Sequence, residues 1–292
     1  MYKCLGIIPD TFMVCGEIEQ YCSDACLQRA PRKVLDHGYV KLITHWGSDE
    51  DIIEAARMST GKGFQGWGPI DVGQCPACCY SMGRGPICNA CHGSGRATKP
   101  GDEKLLKFLW QNKHASPFEF AGLTVEVQAP LMVLREWQRH RTQSFSEMSA
   151  RYAPLPDDNY VPTAERCLLK QDGNKQAGVL AGSEQVTQQT AEQWLQQLSN
   201  CFAEIERVYA EGLRIGVPKE VARLAVPVAR YSRMRATANL RNWLAFLTLR
   251  SDHGAEGRHA QYEIRQFANV VADLVREQFP RTYAAWATKE KE

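Results

Sequence analysis

The hydrophobic and polar positions of the chain alternate with two different periods, and each period predicts a type of element. Residues 34–46 and 121–128 alternate at every second position, as strands do when one face is buried. Ser48 followed by three acidic residues is typical of a helix N-terminus and favours a first helix through Met58. Helical spacing predicts further helices over 183–214, 238–251 and 259–277. Three more are predicted: one from Asp102, one from Pro130 through Arg141 and one after Pro218. The order predicts a helix-rich α/β (α+β) domain with a mixed sheet, and irregular connections at 61–101 and 153–182.

The composition is that of an ordinary globular protein. The 292 residues are 44% hydrophobic and 23% charged, with a formal net charge of +2, which excludes disordered and collagen-like chains. No apolar run reaches the length of a membrane-spanning helix, and the N-terminus lacks the basic-then-apolar layout of a secretion signal. We therefore expect a cytoplasmic protein with no membrane partner. A net charge so near zero also argues against nucleic acid as the partner.

Eleven cysteines are the unusual feature of this composition, and four of them have the spacing of a metal site. Cys75 and Cys78 form one CxxC pair, and Cys88 and Cys91 form a second pair soon after it. Two such turns offer four thiolates to one ion, which is the tetrahedral sulfur set of structural zinc sites. The stretch CNACHGSG (88–95) is similar to one repeat of the zinc module of J-domain co-chaperones. We expect one structural zinc ion in an insertion at 68–99.

The other cysteines leave alternatives open. Cys79 and His92 lie in the same insertion and are alternative ligands. A looser set lies in an N-terminal extension at 1–33 and forms either a second metal site or reduced thiols: Cys4, Cys15, Cys22 and Cys26.

Two arginine-rich segments stand out in this nearly neutral chain. One runs from Arg135 to Arg151 and carries several serines, and the other runs from Lys219 to Arg250 with Glu220 as its only acid. Guanidinium groups beside hydroxyls suit the bidentate capture of phosphate, so a small phosphorylated ligand is expected. No GxGxxG follows a predicted strand and no GxxxxGK[ST] is present, which argues against a Rossmann fold or a P-loop.

The first of these segments resembles a known family. RHRTQSFSEMSARY (139–152) is similar to the signature of flavin-dependent thymidylate synthases, RHR followed by seven residues and a serine. Further blocks are similar in the same order: HGYVKLITHWGSDEDIIEAARMS (37–59), KHASPFEF (113–120), KEVARLAVP (219–227), NLRNWLAFLTLR (239–250) and HAQYEI (259–264). The resemblance implies a domain with the fold of that family over 34–292, interrupted by the insertion at 68–99.

The resemblance also implies a reaction and an assembly. Members convert dUMP to dTMP, taking a methylene group from methylenetetrahydrofolate and a hydride from reduced FAD, while NADPH reduces the flavin. They are homotetramers whose active sites are shared between subunits. The chemistry agrees with a fixed cation beside the uracil carbonyl, because methylation at carbon 5 requires electron density there.

Roles for individual residues follow from the same resemblance. The resemblance implies contacts to FAD for six residues: His114, Ser116, Arg139, His140, Arg141 and Glu147. It implies that Asn239 and Arg241 contact FAD from a neighbouring subunit, and that His259 lies near folate or flavin. The nucleotide is implied to lie against Glu136, Arg139, Glu147, Met148, Ser149, Ala150, Arg151, Arg223 and Arg250. Ser149 and Arg151 are implied on its phosphate. Arg250 is implied as the catalytic residue, which polarises the uracil ring and favours ionisation at ring nitrogen 3.

The chain departs from the family pattern at several positions. Glu136 stands where members have a glutamine that contacts the nucleotide, Ser146 and Ala245 replace asparagines, and a short insertion lies around Gly254–Arg258. Because a carboxylate can accept from an exocyclic amine, carbon-5 methylation or hydroxymethylation of a cytosine nucleotide such as dCMP is an alternative. The non-enzyme alternative is a zinc-containing nucleic-acid-binding protein, against which the ordered blocks count.

Overall fold

The central sheet is antiparallel throughout. The computed structural model describes residues 30–75, 77, 91, 94, 96–169, 186–254 and 260–287. Its strands are β1 (Arg32–Val34), β2 (Gly38–Trp46), β3 (Ile70–Gln74), β4 (Arg96–Lys99), β5 (Gly122–Pro130), β6 (Ser144–Glu147) and β7 (Tyr231–Asn239). Five of them form one sheet in the order β1-β2-β5-β7-β6. All its pairings are antiparallel, so the predicted mixed sheet is wrong, because residue alternation does not encode the direction of a neighbouring strand.

A tight turn splits the first alternating segment into β1 and β2, where the sequence predicts one strand. Leu35 reverses the chain with a left-handed backbone, φ 58°. Gly38 pairs with Val34 just after the turn, and it lies too close to its neighbours to carry a side chain. A Cβ there would lie 2.6 Å from the carbonyl oxygen of Val34 and 2.8 Å from the ring of Phe267. The hairpin therefore depends on two special backbone positions that periodicity alone does not reveal.

Strands β6 and β7 are absent from the prediction, although β7 lies between β5 and β6. In β7, Ser232, Met234 and Ala236 are buried while Arg233 and Arg235 are exposed, so the period of two is present. The hydrophobic signal is weak because the exposed positions are long cations and the buried ones are mostly small. Strand β5 shows the stronger form of the same pattern and is confirmed.

Helices cover one face of this sheet. They are α1 (Asp49–Arg57), α2 (Asp102–Gln111), α3 (Leu131–Trp137), α4 (Ala164–Leu168), α5 (Gln188–Arg214), α6 (Lys219–Ala222), α7 (Leu240–Arg250), α8 (Tyr262–Gln278) and α9 (Pro280–Ala287). Helices α3, α7 and α8 pack on the sheet, and the main hydrophobic core lies between them and β5. None of the helices in the described part of the chain is long and apolar enough to cross a membrane.

Most predicted helices are confirmed, with corrections at two ends. Helix α3 ends at Trp137 and not at Arg141, because the chain folds back in turns in which Arg139 N donates to Glu136 O and His140 N donates to Trp137 O. Helix α5 begins at Gln188, five residues after the predicted start at Ser183, where the Thr187 side chain caps it. Helices α4 and α9 were not predicted.

The glycine-rich insertion contains the β3–β4 ribbon, against the expectation of little regular structure. Cys75 follows β3 directly, and both Cys75 and Cys91 are buried, with 1% and 7% exposure, although the ribbon side chains are mostly exposed. The remaining candidate ligands lie outside the described residues: Cys4, Cys15, Cys22, Cys26, Cys78, Cys79, Cys88 and His92. The described residues alone bring no three metal-ligating side chains together.

Candidate active site

Three side chains form a cluster where the C-terminal end of α7 meets α3. Arg250 is the last residue of α7; its Nη1 donates to Glu136 Oε1, and its Nε donates to His140 Nε2 at 3.1 Å. Glu136 lies in the last turn of α3 and His140 follows its end, so the early end of this helix places both side chains. The side chains of Arg250 and Glu136 are 22% and 20% exposed. The structure thus brings together three of the predicted site residues, which we call the Arg250 cluster.

His140 is held in this cluster as a neutral hydrogen-bond acceptor. Burial, aided by the charge of Arg250, lowers the pKa of His140 from 6.5 to about 4. Because Nε2 accepts from Arg250, the ring proton belongs on Nδ1. The ring packs edge-on against Phe246 with centroids 4.9 Å apart. His140 therefore offers the site an N–H donor and no positive charge.

One oxygen of Glu136 has no partner among the described residues. Oε2 is buried, and no donor within the described residues reaches it. Burial raises the pKa of Glu136; the charge of Arg250 opposes this shift and the charge of Glu263 adds to it. Glu263 has its own partners, since Arg166 donates to its two oxygens at 2.7 and 3.2 Å and Tyr160 donates at 3.3 Å. A buried acceptor without a donor lowers the free energy of unfolding by about 1–3 kcal/mol. Stability of the fold therefore gives no reason for this arrangement.

The RHR segment, residues 139–141, follows the side of α7. His140 contacts the last turn of this helix, while Asn242 Nδ2 in its first turn donates to Thr142 O at 3.1 Å. Arg139 and Arg141 are exposed on the segment. Two cations therefore lie between the two ends of α7.

The opposite end of α7 holds a second group of predicted residues. Asn239 caps the helix by accepting from Asn242 N at 3.0 Å. Arg241 Nη1 donates at 2.5 Å to Glu119 Oε1, which lies in the 3-10 turn Ser116–Glu119. This turn carries Ser116, and His114 is exposed just before it.

These two groups are separated within one chain. Arg241 and Arg250 are nine residues apart on one helix, which corresponds to about 14 Å along its axis. The structure does not bring Arg241 into the Arg250 cluster.

The predicted nucleotide residues continue from α3 into β6 and the loop after it. Glu147 Oε2 accepts from Gln138 Nε2 at 2.9 Å, which ties the end of β6 to the end of α3. Met148 N donates to Arg233 O at 2.8 Å and so extends the pairing with β7 by one residue. The position of the loop relative to the Arg250 cluster is therefore set by backbone pairing as well as by side chains.

Residues 149–151 form the next turn of this loop. Ala150 is buried, Arg151 N lies 3.3 Å from the hydroxyl oxygen of Ser149, and the Arg151 side chain is exposed. Its Nε lies 3.6 Å from Glu220 on α6, and Arg223 follows the end of that helix. The structure thus brings Arg151 next to α6, the helix that Arg223 follows. His259 lies outside the described residues.

Three residues of the site were missed from the sequence. Phe246 packs against His140 and stacks on Trp137 at 4.7 Å, Gln138 binds Glu147, and Glu263 faces Glu136. A signal for Phe246 was available, because it lies one helical turn before Arg250 and so shares its face of α7. Glu263 lies within the block HAQYEI (259–264), but nothing in that block indicates that it approaches Glu136, which depends on the packing of α8.

The chain is similar in sequence to a family of known enzymes. A family model described as "Thymidylate synthase complementing protein" matches residues 41–281. The flavin-dependent thymidylate synthase of Thermosipho africanus (strain TCF52B) is 32% identical over 254 residues, which are 87% of this chain and 92% of that protein. The flavin-dependent thymidylate synthase of Treponema pallidum (strain Nichols) is 33% identical over 261 residues, 89% of this chain and 72% of that protein.

A solved structure is similar over the same span. The UMP/dUMP methylase PolB from Streptomyces cacaoi, bound with 5-Br UMP, has a TM-score of 0.64 at 28% identity and covers 87% of this chain and 95% of that one. The same protein bound with 5-Br dUMP has a TM-score of 0.64 at 27% identity. The matched residues include α3, the RHR segment and both ends of α7. The chain belongs to the family of flavin-dependent thymidylate synthases, and it is an enzyme of that type.

Proposed function

We propose that the protein methylates carbon 5 of dUMP to form dTMP, with methylenetetrahydrofolate as the carbon donor and NADPH as the reductant of FAD. The observation that carries the proposal is the setting of Arg250. It is a part-buried guanidinium held by Glu136 and His140, beside an arginine-rich loop, in a chain of this family.

Arg250 offers one more nitrogen to a ligand. Its Nη1 and Nε are bound by Glu136 and His140, and Nη2 has no acceptor among the described residues. A fixed N–H donor at a ring carbonyl stabilises the negative charge that develops on its oxygen as carbon 5 gains electron density. This supports Arg250 as the catalytic residue. The hydroxyl of Ser149 and the guanidinium groups of Arg151 and Arg223 are a donor set that suits the nucleotide phosphate.

The donors along α7 fit a flavin dinucleotide. Arg139 and Arg141 are exposed cations, and neutral His140 offers a ring N–H. Gln143 Nε2 is buried with no acceptor among the described residues. Such donors match a diphosphate and the carbonyl oxygens of a flavin ring. When bound, FAD supplies the reduction that no side chain can supply. We place Glu147 beside both flavin and nucleotide.

Cysteine does not supply an activated nucleophile in this proposal. Burial raises the pKa of Cys167, which keeps its thiol protonated. This counts against Cys167 as a nucleophile at the pyrimidine ring and agrees with the flavin route.

The separation of the two ends of α7 supports a site shared between subunits. Arg241 lies about 14 Å along the helix from Arg250, Asn239 caps the same end as Arg241, and His114 and Ser116 are near them in the chain fold. We propose a homotetramer in which this end of α7 contacts the FAD bound by the Arg250 cluster of a neighbour. Sedimentation of the purified protein tests the assembly, and a monomer that is fully active would contradict it.

We further propose that 68–99 is a zinc-binding insertion in the domain over 34–292, which follows an extension at 1–33. The ligands are Cys75, Cys78, Cys88 and Cys91. Pairing of Gln74 with Arg96 brings the ends of β3 and β4 together, and burial of Cys75 and Cys91 beside an exposed ribbon supports a common partner for their sulfurs.

Metal analysis tests this insertion directly. The variant Cys88→Ser should lose the zinc that we expect at about one ion per chain, because three sulfurs hold it less tightly than four. Cys201→Ser, at an exposed position of α5, is the matched control and should keep the metal. Equal zinc content in the two variants would remove Cys88 from the ligand set.

A second candidate substrate follows from Glu136. Its Oε2 has no partner in the described part of the chain. An ionised carboxylate oxygen accepts hydrogen bonds and cannot donate them, and the exocyclic amine of cytosine is a donor. Carbon-5 methylation of dCMP is therefore the alternative that the structure supports most.

One assay tests the reaction and separates the substrates. The purified protein should be yellow with bound flavin, and it should release tritium from dUMP labelled at carbon 5 in the presence of methylenetetrahydrofolate and NADPH. Release from labelled dCMP alone would establish the second candidate. Absence of flavin together with no release from either nucleotide would contradict both.

A further inference from the structure

Glu147 is a carboxylate in an arginine-rich part of the chain, and its partner is a neutral amide. It lies exposed at the end of β6, and its Oε2 accepts from Gln138 Nε2 at 2.9 Å. Arg139 and Arg141 lie in the adjacent RHR segment, but no cation of the described residues forms an ion pair with Glu147. Because an amide carries no charge, Gln138 holds this carboxylate without cancelling its negative charge.

Gln138 is itself held in place by two elements. It caps the C-terminal end of α3, where its backbone N donates to Leu134 O at 2.9 Å. Its Nε2 also lies 3.6 Å from the sulfur of Met234, a buried residue of β7 that pairs with Glu147 across the sheet. A thioether and an ionised carboxylate are both acceptors, so the donor end of the amide faces them. The orientation of the Gln138 side chain is therefore determined by its contacts.

The second oxygen of Glu147 is available to a ligand. Oε1 has no donor in the part of the chain that the structure describes. Met148–Arg151, the loop that we place against the nucleotide, begins at the next residue. A glutamate that is free to rotate loses side-chain entropy when a ligand orders it, whereas one already held by Oε2 loses less. The bond from Gln138 therefore prepares Oε1 for a hydrogen-bond donor of the nucleotide.

We propose that Gln138 is a positioning residue, which fixes Glu147 so that its second oxygen accepts a hydrogen bond from dUMP. Gln138 acts through Glu147 and needs no contact of its own with the nucleotide. A neutral amide suits this role better than a cation, because an arginine in its place would compete with the ligand for the carboxylate. This inference rests on the proposed function, because it takes Glu147 to lie beside the nucleotide.

The test measures the dissociation constant of dUMP by calorimetry on the flavin-containing full-length protein. Gln138→Leu removes the donor and keeps an apolar side chain of similar size against Met234. It should weaken dUMP binding by about fivefold, because the freed Glu147 must then be ordered by the ligand. Gln138→Met should weaken binding equally. Circular dichroism and the flavin absorbance show whether each variant is folded and holds FAD.

A double variant separates positioning from a general structural role. Glu147→Ala removes the carboxylate and should weaken dUMP binding by about tenfold. Adding Gln138→Leu to Glu147→Ala should change the dissociation constant by less than about twofold, because Gln138 then has no carboxylate to position. Gln188→Leu is the matched control, since Gln188 Nε2 donates to Glu192 Oε1 at 2.7 Å on the exposed surface of α5. This control should bind dUMP as the wild type does.

The outcomes separate this inference from the proposed function. If Gln138→Leu weakens binding equally with and without Glu147, or not at all while Glu147→Ala weakens it, Gln138 does not position Glu147. If Glu147→Ala binds dUMP as tightly as the wild type, or if the wild type binds no dUMP, the proposed nucleotide site is wrong and the inference fails with it.

Discussion

Two arginines of this protein use their partners in opposite ways. Arg230, just before β7, is completely buried, and all its nitrogens donate: Nε to Asn159 Oδ1 at 3.2 Å, Nη1 to Pro156 O at 2.9 Å and Nη2 to Glu206. It ties the loop after β6 to the long helix α5. Such complete pairing is what a buried cation requires if it is to hold a fold together.

Arg250 is paired less completely. It retains exposure, its Nη2 has no acceptor among the described residues, and the Oε2 of its partner Glu136 has no donor there. Stability alone would favour partners for both atoms, because each unsatisfied polar group lowers stability. Incomplete satisfaction therefore separates the arginine that we propose to be reactive from the structural one, even though both face a carboxylate.

The largest expected effect is on stability, at Arg230. Arg230→Met should lower the free energy of unfolding by about 3 kcal/mol, because the part-buried Glu206 and Asn159 lose the partner that satisfies them. Urea unfolding followed by circular dichroism measures it. Arg207→Met breaks an exposed pair on the same helix and should change nothing measurable. An equal loss of unfolding free energy in the two variants would show that the buried pair stabilises the fold no more than the exposed one.

The largest expected effect on activity is at Arg250. Arg250→Ala should lower kcat by about 10²–10³-fold, because the donor that stabilises developing charge is lost, while the flavin absorbance stays unchanged. Tritium release measures turnover. Arg276→Ala, which removes an exposed cation from α8, should be as active as the wild type. A near-normal rate for Arg250→Ala would mean that the free donor of Arg250 has no part in the reaction.

A smaller effect is expected where the RHR segment is fastened to α7. Asn242→Ala removes the hydrogen bond to Thr142 O and should lower the free energy of unfolding by about 1 kcal/mol. The freed segment should also release FAD faster, which fluorescence of the released flavin detects. Gln196→Ala removes a side-chain amide bond on the exposed surface of α5 and serves as the control. Unchanged flavin release would show that the segment needs no such anchor.

An effect confined to acid pH concerns the neutral state of His140. Its pKa is lowered to about 4 in the folded protein, so between pH 6.5 and 4 the unfolded chain binds a proton that the folded chain does not. The free energy of unfolding should therefore fall as the pH drops through this window. His140→Gln should flatten the curve of urea midpoint against pH there. Parallel curves for the wild type and this variant would contradict the neutral state of His140.

The fold was predictable where local signals are strong. Helix α1 begins where Ser48 and its acids place it, and the Ser48 hydroxyl does accept from Asp51 N at 3.2 Å. Strand β5 shows clear alternation and was found. Strand β7 was missed, because Arg233 and Arg235 stand at its exposed positions and its buried side chains are mostly small. The turn at Leu35 was missed because a left-handed backbone has no hydrophobic signature.

The residues of the site were predictable one by one, but their relations were not. Glu136, His140 and Arg250 were each expected near the ligands from a family resemblance. That Glu136 neutralises Arg250, and that His140 accepts from it and so stays neutral, depends on α3 ending at Trp137. The turn signals in the sequence after Trp137 are too weak to predict where α3 ends.

By itself, the amino-acid sequence determined which chemical groups the protein has and which family it belongs to, because residue types and their order are written in the chain. Only the tertiary structure decided the charge of the site. Arg250 and Glu136 are 114 positions apart, and the strength of their interaction depends on distance and burial, which exist only after α3 and α7 have packed together.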